Sequence, residues 1–254
     1  MTIDQPTALV TGGAKRIGRA IVEDLASHGW SVIIHYNHSG NDADRLARTI
    51  RSGGGPPATV AADLGDPEST LGLIAQASDI FGKVDVLVNN ASIFESDAIG
   101  SLSSSLYHKQ MTINLTSPVF LAQAFANALP AGRHGNIVNV IDQRVWRPTP
   151  RFFSYHLSKA ALWAATQTMA QAFAPRIRVN AIGPGPTLKN EDQSEEMFRK
   201  QTEAVLLGHG ADLGEFGRTV RYFVDNGSVT GQMIALDGGQ HLGWATPDNA
   251  DFDG

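Results

Sequence analysis

Thr11-Gly12-Gly13-Ala14-Lys15-Arg16-Ile17-Gly18 lies between a short apolar run, Ala8-Leu9-Val10, and a helical pattern that sets Ile17, Ala20, Ile21 and Leu25 on one face. The spacing predicts a strand, a tight turn and a helix. Glycines let the backbone bend sharply, and the unpaired N–H groups of the first helical turn face outward with the positive end of the helix dipole behind them. Such a turn can hold an anion. A plain βα loop is the alternative, and the strand before and helix after favour the anion site.

Outward from this turn, short β-rich runs alternate with longer helical patterns. Strands are expected at Ala8 to Val10, Val32 to Tyr36, Ala58 to Ala62, Val84 to Val88, Ile137 to Ile141, Ile177 to Ile182 and Met233 to Leu236. That alternation predicts right-handed βαβ crossovers and an α/β fold: a doubly wound parallel sheet with helices on both faces. No repeat of solenoid period interrupts it. Gly53-Gly54-Gly55-Pro56-Pro57 reads as a surface turn before the third strand.

The 254 residues, 42% of them hydrophobic, suffice for one full core, so a single domain over residues 1–254 is expected. A net charge of −5 argues against a nucleic-acid or anionic-membrane partner and leaves a small molecule as the expected one. With no cysteine, disulfides and thiolate metal sites are excluded, and no metal site is predicted. Met1 to Pro6 does not read as a signal peptide, and no apolar run approaches the ~20 residues of a membrane span, so a cytoplasmic location is expected.

The end of the second strand, His35-Tyr36-Asn37-His38-Ser39, is where a dinucleotide fold selects its cofactor. An NAD site places a carboxylate about 20 residues after the glycine turn to accept from the ribose 2′-hydroxyl. Here the nearest downstream acid is Asp42, while His35, Asn37, His38 and Ser39 can donate hydrogen bonds and Arg16 carries a fixed charge suited to phosphate. The combination points to NADP(H), a polar loop with a solvent-facing arginine being the alternative. Asp63-Leu64 follows the third strand, where the carboxylate either meets an adenine amino group or caps the helix starting near Asp66-Pro67. After the fourth strand, Asn89-Asn90-Ala91-Ser92 lets the backbone approach a ligand; Phe94 is a core residue or a ligand contact.

The fifth strand delivers Asp142, and a following helix carries Tyr155 and Lys159 at i and i+4 on one face. An ammonium beside a phenol is expected to lower its pKa from about 10 toward working pH, so that the tyrosine exchanges a proton while hydride leaves a nicotinamide. A carboxylate at position 142 would oppose negative charge developing on a carbonyl oxygen. It suits a substrate that gains a proton on nitrogen, and a buried carboxyl of raised pKa could donate that proton or orient the tyrosine that does. The alternative is that Asp142 only caps the strand-to-helix connection.

At these motifs the chain resembles the short-chain dehydrogenase/reductase family over nearly its whole length: Thr11 to Gly18, Asn89-Asn90-Ala91, Asn114 in a long helix from Leu106 to Leu129, Tyr155 with Lys159, Pro184-Gly185, and Leu236-Asp237-Gly238-Gly239. The resemblance implies a Rossmann-type fold with Asn114 holding a proton-relay water next to Lys159, and Lys159 also binding the nicotinamide ribose. Gly12, Ile17, Asp63, Asn90, Ala91, Pro184 and Thr187 would line the cofactor, with Leu64, Ser92, Gly185 and Tyr36 beside them. Arg16 in place of a glycine, Ser92 in place of another, and Asp142 in place of the usual serine, together with His35-Tyr36 and Phe94, resemble the pteridine reductase branch. There the aspartate and tyrosine protonate a pterin while Ser92 and Phe94 would seat it. A carbonyl or 3-oxoacyl reductase and a catalytically idle NADP(H)-binding sensor are the other readings. Residues 185–207 read as a substrate lid and 245–254 as a polar tail. The small and apolar residues of the helix from Tyr155 to Ala174 agree with the homotetramer that the family implies.

Overall fold

The computed structural model describes residues 5–190 and 193–244. Among them, β1 (Thr7–Val10), β2 (Ser31–Tyr36), β3 (Pro57–Ala61), β4 (Val86–Asn89), β5 (Gly135–Val140), β6 (Ile177–Pro184) and β7 (Met233–Leu236) form one parallel sheet in the order β3-β2-β1-β4-β5-β6-β7. The seven strands are those read from the sequence, with no end shifted by more than two residues.

Alternation along each strand sorts the core into two layers. Ala8, Val10, Val32, Ile34, Val86 and Val88 face one side, under α1 (Arg16–Ser27), α2 (Gly40–Ser52) and α8 (Leu213–Asp225). Leu9, Ile33 and Leu87 face the other, under α3 (Pro67–Phe81), α5 (Ser117–Ala128) and α6 (Phe153–Phe173). Strands buried on both faces cannot alternate apolar with polar, which is why they read as continuous apolar runs. Strand order reverses between β1 and β4, and there the glycine turn and Asn90 face a common crevice.

The long helix expected from Leu106 to Leu129 is interrupted. α4 (Ser104–Met111) passes into a π-helical turn, Thr112–Thr116, before α5 resumes. The wider turn presents the side chain of Asn114 inward, fully buried. Residues 185–207 leave the end of β6 and include α7 (Glu195–Glu203), whose residues are exposed or half-buried. The polar tail, 245–254, lies outside the described residues.

α1 and α8 pack closely, and Asp24 of α1 takes a two-pronged contact from Arg221 of α8 at 2.8 and 3.3 Å. Gly217 makes that approach possible, because a Cβ there would overlap the Cβ of Asp24. Alanine is the better helix former by about 1 kcal/mol, yet Gly217→Ala should lower stability by roughly 1–3 kcal/mol through overpacking. Urea denaturation that shows a stabilised variant would contradict this packing.

Candidate active site

A cavity of about 480 Å³ opens where the C-terminal ends of the strands meet. Its near wall is the glycine turn. Gly12 sits at φ +61°, and a Cβ there would press on Ala91 and the Asn90 amide. Arg16 adopts φ +52°, a left-handed conformation that favours glycine and costs a side-chain residue about 1 kcal/mol or more. The Asn90 Nδ2 ties the turn to β4 by donating to the carbonyls of Thr11 (2.8 Å) and Gly12 (3.2 Å). α1 has neither a side-chain cap nor an acid in its first turn. The donors of that turn therefore remain suited to an anion.

His35 plays a different part from the one expected of it. The Gly12 N–H donates to its Nδ1 at 3.1 Å, so its proton sits on Nε2, which donates to the Ala62 carbonyl at 3.1 Å. With both nitrogens engaged, His35 holds the turn instead of offering a donor to a phosphate. Burial drives its pKa down to about 4 despite the opposing pull of the Ala62 carbonyl. Tyr36, one residue on along the strand, turns to the opposite face and packs half-buried against the core layer beneath α2, and it is not among the residues that line the cavity.

Arg16, Ile17, Asn37, Ser39, Asp63 and Leu64 line the cavity at this end, whereas His38 is not among the lining residues. Asp63 does not cap α3, since Asp66 does, accepting from the Ser69 N–H at 2.8 Å. Instead Asp63 accepts from Asn37 (3.1 Å) and from the Gly65 N–H (2.8 Å). The Arg16 guanidinium reaches across to the carbonyls of Lys189 (3.0 Å) and Leu188 (3.2 Å). Asp42, the nearest acid downstream, is paired with Lys15 at 3.0 Å. Ala91, Pro184, Gly185 and Thr187 complete this part of the wall.

At the other end of the cavity, the Tyr155 hydroxyl donates to Asp142 Oδ2 at 3.1 Å, and the other carboxylate oxygen accepts from the Arg144 N–H at 2.8 Å. The Arg144 guanidinium stands 3.8 Å from Asp142. Lys159 is buried and donates to the Val140 carbonyl at 2.9 Å, clamping α6 to β5. Its Nζ lies 5.7 Å from the Tyr155 ring centre.

This geometry reverses one expectation. The phenol of Tyr155 is not depressed by the ammonium; burial first, and then the negative charge of Asp142, push its pKa well above 10. Burial also lowers Lys159 to about 8, against the opposing influence of Asp142. Tyr155 is therefore a protonated acid at neutral pH.

Asn114 lies behind the cavity wall. Its Oδ1 accepts from the Ile93 N–H (2.9 Å) and Ser92 Oγ (3.0 Å), while Nδ2 donates to the Ile93 carbonyl (3.0 Å) and Ser158 Oγ (3.2 Å). Its direct partners thus tie the loop after β4 to α6. Phe94, on that loop, stacks on Phe152 with centres 4.1 Å apart and meets Tyr155 edge-on at 4.6 Å. Of the two readings open for Phe94, the structure selects the cavity wall.

Several contributors escaped the sequence reading. Asp97 pins the start of α6: its carbonyl accepts from the N–H groups of Phe152 and Phe153, and its carboxylate accepts from the backbone and hydroxyl of Ser154. Phe152 takes φ +56° there, which lays its ring on Phe94. Gln143, Arg144 and Gln240 also line the cavity. Gln143 and Arg144 directly follow Asp142, so position was an available signal for them. A loop aspartate capping a distant helix left none.

The profile of the short chain dehydrogenase family matches residues 6–199. The chain belongs to that family and is an oxidoreductase. A crystal structure from Brucella canis, described as FolM alternative dihydrofolate reductase 1 complexed with NADP, is 55% identical with a TM-score of 0.94, covering 96% of this chain and 97% of that one. The protein of the same description from Brucella suis, also in complex with NADP, is 54% identical at the same TM-score, covering 98% and 99%. L-rhamnose 1-dehydrogenase (NAD(P)(+)) of Azotobacter vinelandii is 33% identical over 94% of this chain and 98% of its own length.

Because His35 stays neutral in the folded protein while its unfolded counterpart titrates near 6.5, the unfolded state binds the extra proton between pH 6.5 and 4. Its contribution is full above pH 6.5 and is lost as pH falls toward 4, by roughly 2–3 kcal/mol at pH 4.5. Denaturant titrations at pH 7 and 4.5 should show that much less acid sensitivity in His35→Gln than in the parent. Equal sensitivity would mean that the imidazole protonates freely in place.

Proposed function

We propose that this enzyme uses NADPH to reduce a pterin or dihydropterin, with Asp142 and Tyr155 acting as one proton-delivering pair. The observation that carries this reading is the 3.1 Å contact between a buried phenol and a carboxylate inside the cavity. A reductase acting on a carbonyl must stabilise an oxyanion, and a carboxylate in that place opposes the charge. A ring nitrogen that gains a proton is the better match. Support also comes from the Brucella proteins, whose description as dihydrofolate reductases concerns reduction of a pterin ring.

The residues present fit the cofactor. Gly12, Ile17, Asn90 and Ala91 would hold the pyrophosphate region against the uncapped first turn of α1, and Asp63 and Leu64 the adenine. Asn37, Ser39 and Arg16 would surround the 2′-phosphate, with Lys159, Pro184, Gly185 and Thr187 toward the nicotinamide end. When bound, NADPH supplies the hydride that reduces a ring carbon of the substrate. Tyr155 donates its phenolic proton to the neighbouring ring nitrogen, so one C–H and one N–H form as a C=N bond is reduced. Asp142 fixes the hydroxyl by accepting from it, and Arg144 and Lys159 offset the negative charge left on the pair. A proton from solvent restores the pair after product leaves. Phe94 would offer an aromatic face for the pterin, and Ser92 a hydroxyl at its edge. The location this reading implies is the cytoplasm.

Asp142→Asn and Tyr155→Phe should each depress kcat for a dihydropterin about 100-fold or more. The double variant should be little worse than the worse single one, because members of one unit are non-additive; multiplicative losses would break the pairing. Arg16→Ala should lower kcat/KM for NADPH about tenfold with little change for NADH, through loss of one charge-assisted phosphate contact. An equal loss with both cofactors would remove the 2′-phosphate role. The assembly belonging to this reading is a homotetramer, and light scattering at micromolar protein should give four chains; a monomer would defeat it.

A further inference from the structure

The segment 185–207 leaves the end of β6, carries α7 and returns beside the end of β7. Both of its ends are tied there. The Gly185 N–H donates to the Leu236 carbonyl at 2.9 Å and the Leu207 N–H to the Gly238 carbonyl at 3.0 Å, while a Cβ on Gly185 would overlap Asp237. Between those ends α7 buries none of its residues. Its polar contacts are local: Gln193 donates to Gln201 at 2.8 Å, and Lys200 with Glu196 and Arg199 with Glu203 pair along the helix at 2.8 Å. Among the described residues, one hydrogen-bonding side chain from outside holds the middle of the segment. Arg16 donates from Nη1 to the Lys189 carbonyl at 3.0 Å and from Nη2 to the Leu188 carbonyl at 3.2 Å.

Nothing in the glycine turn itself calls for an arginine. The φ of +52° at Arg16 favours glycine, the residue is exposed, and no carboxylate pairs with it among the described residues. What the side chain contributes must lie in what it holds. A guanidinium carries five N–H donors in a rigid fork, and the two carbonyls use two of them. The same fork can therefore hold an anion in the cavity, whose wall Arg16 shares with Asn37, Ser39 and Leu188. A bond from a long exposed side chain is weak alone, because the side chain loses rotamer freedom in making it. Once one partner has fixed the guanidinium, the second bond no longer bears that loss, so each partner favours the other.

We propose that Arg16 is a strap through which the 2′-phosphate of the cofactor holds the segment 185–207 closed over the reaction cavity. The phosphate orients the fork, and the fork holds the carbonyls of Leu188 and Lys189. The segment brings Asn190, Gln193, Phe198 and Gln201 to the cavity wall, so the strap sets how firmly the substrate is enclosed. A dinucleotide without the 2′-phosphate leaves the middle of the segment on the exposed Arg16 contact alone. Preference for NADPH is then expressed in closure of the substrate chamber as well as in cofactor affinity. This rests on the placement of Arg16 at the 2′-phosphate and adds a mechanical consequence to it.

Adenosine 2′,5′-bisphosphate and AMP differ by that phosphate alone, and neither carries a nicotinamide that could touch the segment. Hydrogen exchange of residues 187–190 and 193–206 is measured with each nucleotide, at occupancies matched by calorimetry, in the parent and in Arg16→Gly, where glycine suits the backbone angle. The strap predicts that the bisphosphate slows exchange about fivefold more than AMP does in the parent, at the low end of coupling between sites, and that this difference vanishes in Arg16→Gly. Equal slowing by the two nucleotides in the parent, or a difference that survives in Arg16→Gly, would overturn it. The calorimetry separates the two levels of the argument. If the bisphosphate binds Arg16→Gly as tightly as the parent, the 2′-phosphate placement fails and the strap with it. If it binds Arg16→Gly more weakly while exchange in the parent ignores the phosphate, the strap alone fails.

Discussion

A buried phenol whose hydroxyl is held 3.1 Å from a half-buried carboxylate is the contact around which the active-site end of this molecule is built. Neither partner can be placed by its own element alone. Asp142 comes off the end of β5, and Tyr155 sits in the first turn of α6, thirteen residues on. The separation is fixed by three ties: Lys159 from α6 to the Val140 carbonyl, Asn114 from the π-helical turn to Ser158, and Asp97 to the start of α6. Lys159 and Asn114 are buried and Asp97 is half-buried, so loosening a tie leaves a poorly hydrated donor or acceptor without its partner.

The electrostatics follow from the same placement. Had Lys159 lain against the phenol oxygen, its charge would have made the tyrosinate accessible, as the i, i+4 spacing suggested. It bonds the backbone of β5 instead, and Asp142 takes the place beside the hydroxyl. Burial and a neighbouring negative charge both favour the neutral phenol, which is the form a proton donor needs. The cavity is thus arranged to give a proton, in keeping with a reductive reaction.

The sheet was legible because its central strands are buried on both faces, and β-branched runs bounded by turns have few other uses. β7 was read with the ends it has, Met233–Leu236. The interruption at Thr112–Thr116 was not legible, since one extra residue in a helical turn leaves the apolar pattern nearly intact. In the site, local chemistry carried the reading: a glycine turn, a Tyr/Lys pair and an aspartate at a strand end all fell around one cavity. Tyr36 stays off the cavity wall because period-two alternation places it opposite His35, and His35 itself proved to be internally bonded. Asp97 and Phe152 act across more than fifty residues of chain or through an unusual backbone angle, and neither leaves a mark in sequence.

The central claim is that the carboxyl at position 142 takes part in proton delivery to a pterin nitrogen. Asp142→Ser tests it most directly, because serine keeps a hydroxyl-sized polar group while removing the carboxyl that a carbonyl reductase would not need. Over the full pH range of activity, with NADPH and a dihydropterin, the account predicts that Asp142→Ser loses about 100-fold or more in kcat. Reduction of the dihydropterin by Asp142→Ser as fast as by the parent at every pH would contradict it.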